Sequence, residues 1–141
     1  MSRIFWDSML FAYLLDNHPI FGSRVLEILR RSVERGDTLF TSFLALGEIL
    51  AGAKKSPDPN KRLAVQQAIP NMGFNFLPFD AGAVVPFSNI RSSTKVKAAD
   101  AIHLACAASA GVDLFLTGDK QLVKLNIPGI HFIVEFNLPI L

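Results

Sequence analysis

The sequence has 141 residues, half of them hydrophobic and 18% of them charged, which excludes a disordered chain and allows one domain with a sizeable core. The formal net charge of +2 is too weak to indicate a nucleic-acid partner by itself, and no apolar run is long enough to predict a membrane span. One cysteine, and the lack of an apolar leader before a cleavage site, are typical of a cytoplasmic protein. We therefore predict a single cytoplasmic domain over residues 1–141.

Apolar runs and amphipathic stretches alternate along the chain, separated by Gly and Pro residues. An apolar run ending at Asp7 predicts the first strand, Ser42 can cap a helix, and Gly36 and Gly111 can end helices. Pro86 falls inside a predicted helix, where it must start a turn or introduce a kink. We predict strands over 3–7, 38–41, 75–78, 112–117 and 130–134. We predict helices over 8–15, 20–35, 42–54, 61–68 and 80–92, another around residue 100 and a short one through 125. A surface loop is predicted over 56–60.

Each connection between successive predicted strands is long enough to contain a helix. Such crossovers are what parallel strands require, because a tight turn can join only antiparallel ones. The pattern therefore predicts the α/β class, with a central, mainly parallel sheet of four or five strands and helices on both of its faces.

Four acidic residues, Asp7, Glu48, Asp100 and Asp119, are candidates for one site. Asp7 and Asp119 follow the first and fourth predicted strands, and functional groups gather at the carboxyl ends of parallel strands. Glu48 lies about two turns into a helix, and Asp100 lies near the start of an alanine-rich one. If the four carboxylates converge, their repulsion requires cations or raised pKa values. Oxygen ligands without a His or Cys cluster favour Mg²⁺ or Mn²⁺ over zinc, and such ions can activate water for attack on a phosphate.

Four motifs carry these acids: Phe5-Trp-Asp7-Ser8, Thr41-Ser-x₅-Glu48, Ala99-Asp100-Ala-Ile-His-Leu-Ala and Leu116-Thr-Gly-Asp119. Their order and content resemble the PIN-domain ribonucleases of the VapC toxin family, from type II toxin–antitoxin systems. The resemblance implies a Mg²⁺- or Mn²⁺-dependent endoribonuclease, which hydrolyses RNA phosphodiester bonds to leave a 5′-phosphate and a 3′-hydroxyl. It also implies a PIN-like domain over the whole chain, a cognate antitoxin protein as partner, and a homodimer.

The resemblance assigns both metal binding and catalysis to Asp7, Glu48, Asp100 and Asp119. It also places Ser8 where that family often has Thr, and matches Thr117 to the family's usual hydroxyl near the fourth acid. Each acid taken alone has a structural interpretation, as a helix cap, a surface charge, a partner of the helix dipole or a turn residue. Only the joint arrangement of the four, together with the resemblance, favours function.

Five further residues are candidates for supporting roles. His103 can share a helix face with Asp100, and we expect it to be packed or hydrogen-bonded rather than to transfer protons. Four lysines flank the acids in sequence and can either contact a phosphate backbone or remain solvated: Lys54, Lys55, Lys95 and Lys97.

Two other functions remain open from the sequence. One is a catalytically inactive PIN-like module that binds RNA or protein. The other is a phosphate-accepting receiver domain, which also gathers acids at a parallel sheet edge. The receiver chemistry fits poorly, because Asp7 has no adjacent acid and the third predicted strand ends in Pro78-Phe79-Asp80.

Overall fold

The structure is a computed structural model that describes residues 1–139. The strands in this range are β1 (Arg3–Trp6), β2 (Thr38–Ser42), β3 (Phe74–Leu77), β4 (Val112–Thr117) and β5 (Ile130–Glu135). The α-helices are α1 (Ser8–Leu15), α2 (Gly22–Arg35), α3 (Phe43–Lys54), α4 (Pro59–Ala68), α5 (Ala81–Ser93), α6 (Ala98–Ala110) and α7 (Lys120–Val123), and a 3₁₀ turn over Ile69–Asn71 follows α4. None of these helices is both long and apolar enough to cross a membrane.

The strands form one parallel sheet in the order β3-β2-β1-β4-β5, with β1 at its centre. Phe5 of β1 is in register with Phe40 of β2 on one side and with Phe115 of β4 on the other. The strand order reverses at β1, because β2 and β3 lie on one side of it and β4 and β5 on the other. The carboxyl end of a strand at such a reversal is where parallel sheets bind ligands. The predicted α/β class and parallel sheet are confirmed.

Helices cover both faces of the sheet, because alternate residues of a strand point to opposite sides. On one face Phe5 and Phe115 stack with ring centroids 4.9 Å apart, within a cluster that includes the alanines of α6. On the other face Ile4, Trp6 and Leu116 pack with buried residues of α1 and α2. The small side chains of α6 let that helix lie close to the sheet, which brings its first turn near the carboxyl end of β1.

Some helix boundaries differ from those predicted. The loop predicted over 56–60 is shorter, because α4 already begins at Pro59. Asp58 caps α4 by accepting a hydrogen bond from the Asn60 backbone N–H at 2.9 Å, and proline suits the first helical position because its missing N–H has no partner there. At two other places a helix is shorter than predicted, since α2 begins at Gly22 and α7 ends at Val123.

For Pro86 the sequence predicted either the start of a turn or a kink. The first outcome is wrong, since α5 is one helix from Ala81 to Ser93, and the kink stays a prediction. Ala83 and Ile90 are buried in the same core cluster on either side of the proline, and Phe87 packs against that cluster. Proline removes one helical hydrogen bond, but packing of the same helix face before and after it keeps the segment helical.

Candidate active site

Asp7 lies at the carboxyl end of β1 and is almost completely buried, with 4% of its surface exposed. One carboxylate oxygen, Oδ1, accepts a hydrogen bond from the Ser8 backbone N–H at 2.8 Å, and Oδ2 accepts one from the Thr117 hydroxyl at 2.8 Å. Burial raises the pKa of Asp7 and the charge of Glu48 adds to the rise, while His103 and the two hydrogen bonds oppose it. Asp7 therefore caps α1, which is the structural role that the sequence suggested for it. It also lies close enough to His103 and Glu48 for their charges to act on it.

Asp100 lies in the first turn of α6 and is partly buried. Burial raises the pKa of its carboxyl group, and the negative charges of Asp7, Asp119 and Glu48 raise it further, while His103 acts in the opposite direction. Because each of the other three predicted acids acts on this carboxyl group, the structure brings all four into one electrostatic neighbourhood. Among the residues described, the Asp100 side chain accepts no hydrogen bond and forms no ion pair.

Glu48 lies on α3, and its side chain is 40% exposed. Its Oε1 is 2.8 Å from Nε2 of His103, a residue of α6 whose own surface is only 1% exposed. The second ring nitrogen of His103, Nδ1, is 2.7 Å from the Ser42 hydroxyl at the end of β2. The prediction that His103 is packed or hydrogen-bonded is confirmed. Glu48 is not an isolated surface charge, because its carboxylate is hydrogen-bonded to a buried side chain.

Asp119 caps α7, where its carboxylate accepts a hydrogen bond from the Gln121 backbone N–H at 2.9 Å. Its own backbone N–H donates to the Thr117 hydroxyl oxygen at 3.0 Å, and that hydroxyl donates to Asp7. A side chain at the intervening Gly118 would force the sulfur of Met9 to move and would lie close to the ring of Phe136. Thr117 thus connects the Asp119 turn to the buried Asp7 carboxylate.

No three His, Cys, Asp or Glu side chains in residues 1–139 stand close enough together to enclose a metal ion in their present arrangement. The chemistry of the donors nevertheless fits a hard cation, since the acids around Asp100 supply carboxylate oxygens and, within residues 1–139, none of them is ion-paired to a lysine or arginine. A Mg²⁺ ion commonly keeps several waters and takes only one or two protein carboxylates. The residues therefore fit such an ion without forming a closed cage.

Two clefts open beside these acids. We call the first the apolar cleft: it has a volume of about 460 Å³, and its walls include Met9, Ala12, Leu15, Glu48, Ile49, Lys55, Lys61 and Val65. We call the second the lysine cleft: it has a volume of about 450 Å³, and its walls include Thr94, Lys95, Lys97, Asp100, Asp119 and Gln121. Of the four lysines singled out from the sequence, three therefore line a cleft that also contains a candidate acid, and Lys54 lines neither.

Sequence reasoning missed the contact between Ser42 and His103. It placed Ser42 in the Glu48 motif and gave it a role only as a helix cap. That cap is confirmed, because the hydroxyl accepts a hydrogen bond from the Ala45 backbone N–H at 2.9 Å. The two residues are 61 positions apart, so no local pattern connects them. The available signal was a polar residue at the end of a buried strand, on the sheet edge where the acids were expected.

The fold and the grouped acids define a parallel α/β domain with a carboxylate-rich site at the reversal of its strand order. Residues 4–127 match the PIN domain family, and the chain belongs to that family. No sequence among curated proteins is significantly similar to the chain.

Solved structures share this fold over nearly their whole length. VapBC2 from Rickettsia felis, bound to a DNA fragment from its promoter, aligns with a TM-score of 0.77 and 14% identity, covering 94% of this chain and 98% of the other. DNA-bound VapBC from Salmonella typhimurium aligns with a TM-score of 0.74 and 23% identity, covering 96% and 99%. VapC20 from Mycobacterium tuberculosis, a toxin that cleaves the sarcin-ricin loop, aligns with a TM-score of 0.64 and 14% identity, covering 87% and 96%. At these identities the likeness establishes the fold.

Proposed function

We propose that this PIN domain is a Mg²⁺- or Mn²⁺-dependent endoribonuclease of the VapC type, acting as the toxin of a toxin–antitoxin pair. The observation that supports the proposal most is the grouping of the acids: three other carboxylates act on the Asp100 carboxyl group, while within the described residues no lysine or arginine pairs with Asp7 or Asp100. The solved structures that share the fold agree with it, since one is an RNA-loop-cleaving toxin and two are VapBC complexes.

Asp7, Glu48, Asp100 and Asp119 would hold the metal ion in this proposal. Once bound, the ion would supply positive charge to the scissile phosphate and lower the pKa of a water molecule. The protein's own part is to present the carboxylates in a fixed arrangement. Hydrogen bonds from the Ser8 N–H and the Thr117 hydroxyl fix both oxygens of Asp7, which leaves that side chain little freedom to turn away.

The RNA strand would lie along the lysine cleft. Lys95 and Lys97 form no ion pair within the described residues, so their charges are available to phosphate groups. Thr94 and Gln121 add polar side chains to the same cleft, beside Asp100 and Asp119. A strand held there has its phosphates next to the acids, which is the placement that cleavage requires.

Two protein partners belong to the proposal. A cognate antitoxin is expected because structures with the same fold are VapBC complexes. A homodimer is expected because large apolar side chains are exposed, among them Phe43 at 55%, Val84 at 51% and Val85 at 65%.

The proposal is tested by incubating the purified protein with total RNA and Mn²⁺ and sequencing the new 5′ ends. The wild-type protein should produce discrete cleavage sites that disappear in EDTA. Asp7→Asn should abolish them, because it removes a charge at the centre of the group while keeping the side chain's shape. The matched control is Asp58→Asn, since Asp58 caps α4 with the same kind of bond and an asparagine caps equally well.

Cleavage by Asp7→Asn at the wild-type rate would contradict the assignment of this site. A second candidate function, an inactive PIN-like module that binds RNA or protein, is favoured by one observation: no three acidic or imidazole groups in residues 1–139 enclose a metal ion as arranged. RNA binding that persists while millimolar Mg²⁺ and Mn²⁺ fail to bind would support that second candidate.

A further inference from the structure

His103 is the one histidine that is buried in the part of the chain the structure describes, and the proposed reaction gives it no task. It lies on α6, yet its ring is hydrogen-bonded to residues of two other elements, Ser42 at the end of β2 and Glu48 on α3. The two bonds are 2.7 and 2.8 Å long, so both nitrogens of the ring are engaged. The imidazole is therefore held in one orientation between a structural residue and a candidate metal ligand.

The direction of these bonds follows from the carboxylate at one end. A carboxylate only accepts hydrogen bonds, so Nε2 of His103 carries a proton and donates it to Glu48. In the neutral imidazole Nδ1 is then the acceptor, and it takes the proton of the Ser42 hydroxyl, whose oxygen accepts from the Ala45 N–H at 2.9 Å. A protonated imidazole also donates from Nε2, so the bond to Glu48 has the same direction in both states.

We infer that His103 is a positioning residue, which holds the Glu48 carboxylate in the orientation that the metal ion requires; this inference rests on the function proposed above. Glu48 needs such help because its side chain is 40% exposed and has several rotatable bonds. The bond from His103 occupies Oε1, and Oε2 makes no hydrogen bond to any residue that the structure describes. Hydrogen bonds of this kind orient metal ligands, and removing one commonly costs about 10- to 100-fold in metal affinity.

The competing explanation is that His103 only fills the core, where its ring lies 6.4 Å from that of Phe5. Two substitutions separate the explanations. An asparagine side chain places its amide near the position of Nδ1 and can still bond Ser42, whereas a glutamine places its amide near Nε2 and can still donate to Glu48. Both bury one amide in place of the ring and differ from each other by one methylene, so removing the Glu48 carboxylate is needed to separate packing from positioning.

The test is Mn²⁺ binding to RNA-free protein, measured by electron paramagnetic resonance for wild type, His103→Asn and His103→Gln. Thermal unfolding, followed by the fluorescence of the single, fully buried tryptophan Trp6, checks that each variant is folded. We expect His103→Asn to weaken Mn²⁺ binding by about 10-fold or more and His103→Gln to recover most of the loss. In a Glu48→Gln background His103→Asn should have little further effect, because the two residues act together.

Wild-type affinity in His103→Asn would overturn the inference, and so would an equal loss in both variants. A loss of the same size in the Glu48→Gln background would also overturn it, because His103 would then act without Glu48. These three results leave the proposed nuclease intact, since they require that the wild type binds Mn²⁺. A wild-type protein that binds no Mn²⁺ defeats the proposed function itself, and the positioning role with it.

Discussion

The apolar cleft and the lysine cleft lie beside the same group of acids but present opposite chemistry. In the apolar cleft, the ammonium group of Lys61 is paired with Asp16 at 2.8 Å, and much of the wall is formed by aliphatic side chains. Lys55 also lines this cleft and forms no ion pair within the described residues. In the lysine cleft, both Lys95 and Lys97 are unpaired within the described residues and stand beside Asp100. The comparison teaches that attraction for a negatively charged strand is stronger in the lysine cleft, with two unpaired lysines against one, while the walls of the other cleft suit apolar groups of a protein.

The candidate acids of the two clefts also differ in their surroundings. Glu48, in the apolar cleft, accepts a hydrogen bond from a buried histidine. Asp100, in the lysine cleft, accepts none from the described residues. Burial raises the pKa of Asp100, three other carboxylates raise it further, and His103 opposes them. A cation bound beside Asp100 would therefore offset both the burial and the repulsion of that carboxylate.

The largest effect that this comparison predicts is on cleavage. We expect Asp100→Asn to lower the Mn²⁺-dependent rate by about 10³-fold, equivalent to about 4 kcal/mol of barrier, because it removes the acid on which the other three act. Glu48→Gln should cost less, about 10- to 100-fold, since it changes a ligand on the periphery of the group. Single-turnover rates on one RNA substrate measure both. A larger loss of rate for Glu48→Gln than for Asp100→Asn would contradict the prediction that Asp100 contributes more to cleavage than Glu48 does.

The next effect concerns RNA binding. Replacing Lys95 and Lys97 together by alanine should weaken single-stranded RNA binding in EDTA by about 10-fold at moderate salt, because two phosphate contacts are lost. The slope of log affinity against log salt should fall by roughly 0.7 for each contact. The matched control is the replacement of Lys55 and Lys61 together by alanine, which also removes two lysines but from the apolar cleft. Equal losses in the two clefts would mean that the lysine cleft is not the RNA path.

Topology predicted where two of the acids lie, but it could not predict the site in full. Asp7 and Asp119 follow parallel strands, and parallel strands end at a common edge, so their position followed from the order of elements. Asp100 starts a helix that leads back into β4, and only its motif and the resemblance placed it with the others. Its position depends on how closely the alanines of α6 approach the sheet, which is a property of packing.

Side-chain partners and helix continuity were the least predictable features. That His103 would be hydrogen-bonded followed from the cost of burying a polar ring, but its partners Ser42 and Glu48 lie 61 and 55 residues away. Pro86 was expected from its local chemistry to start a turn or to kink α5, and packing of the helix on both sides of it keeps the segment helical. In both cases contacts distant in sequence decided the outcome, and a single sequence does not record them.

The smallest effect we predict is on the stability of the metal-free protein. Burial and the neighbouring acids raise the pKa of Asp100 above its ordinary value of 3.8, so between those two pH values the folded state binds more protons than the unfolded state. Stability that this carboxyl group confers is therefore present at low pH and is lost as the pH rises through its raised pKa. The substitution Asp100→Asn removes the charge without removing any hydrogen bond formed with the described residues. In EDTA at neutral pH, the Asp100→Asn protein should therefore unfold at a temperature a few degrees above that of the wild type.

That difference should shrink on acidification toward about pH 4, where protonation removes the same charge from the wild type. Mn²⁺ at neutral pH should raise the unfolding temperature of the wild type more than that of Asp100→Asn, because a ligand stabilises the state that binds it. Fluorescence-monitored melting with and without EDTA measures both trends, and Asp58→Asn, at the cap of α4, controls for loss of a surface carboxylate. If Asp100→Asn were less stable than wild type in EDTA at neutral pH, repulsion among the acids would not be what destabilises the metal-free protein. The argument for a metal ion beside Asp100, in the lysine cleft, would then fail.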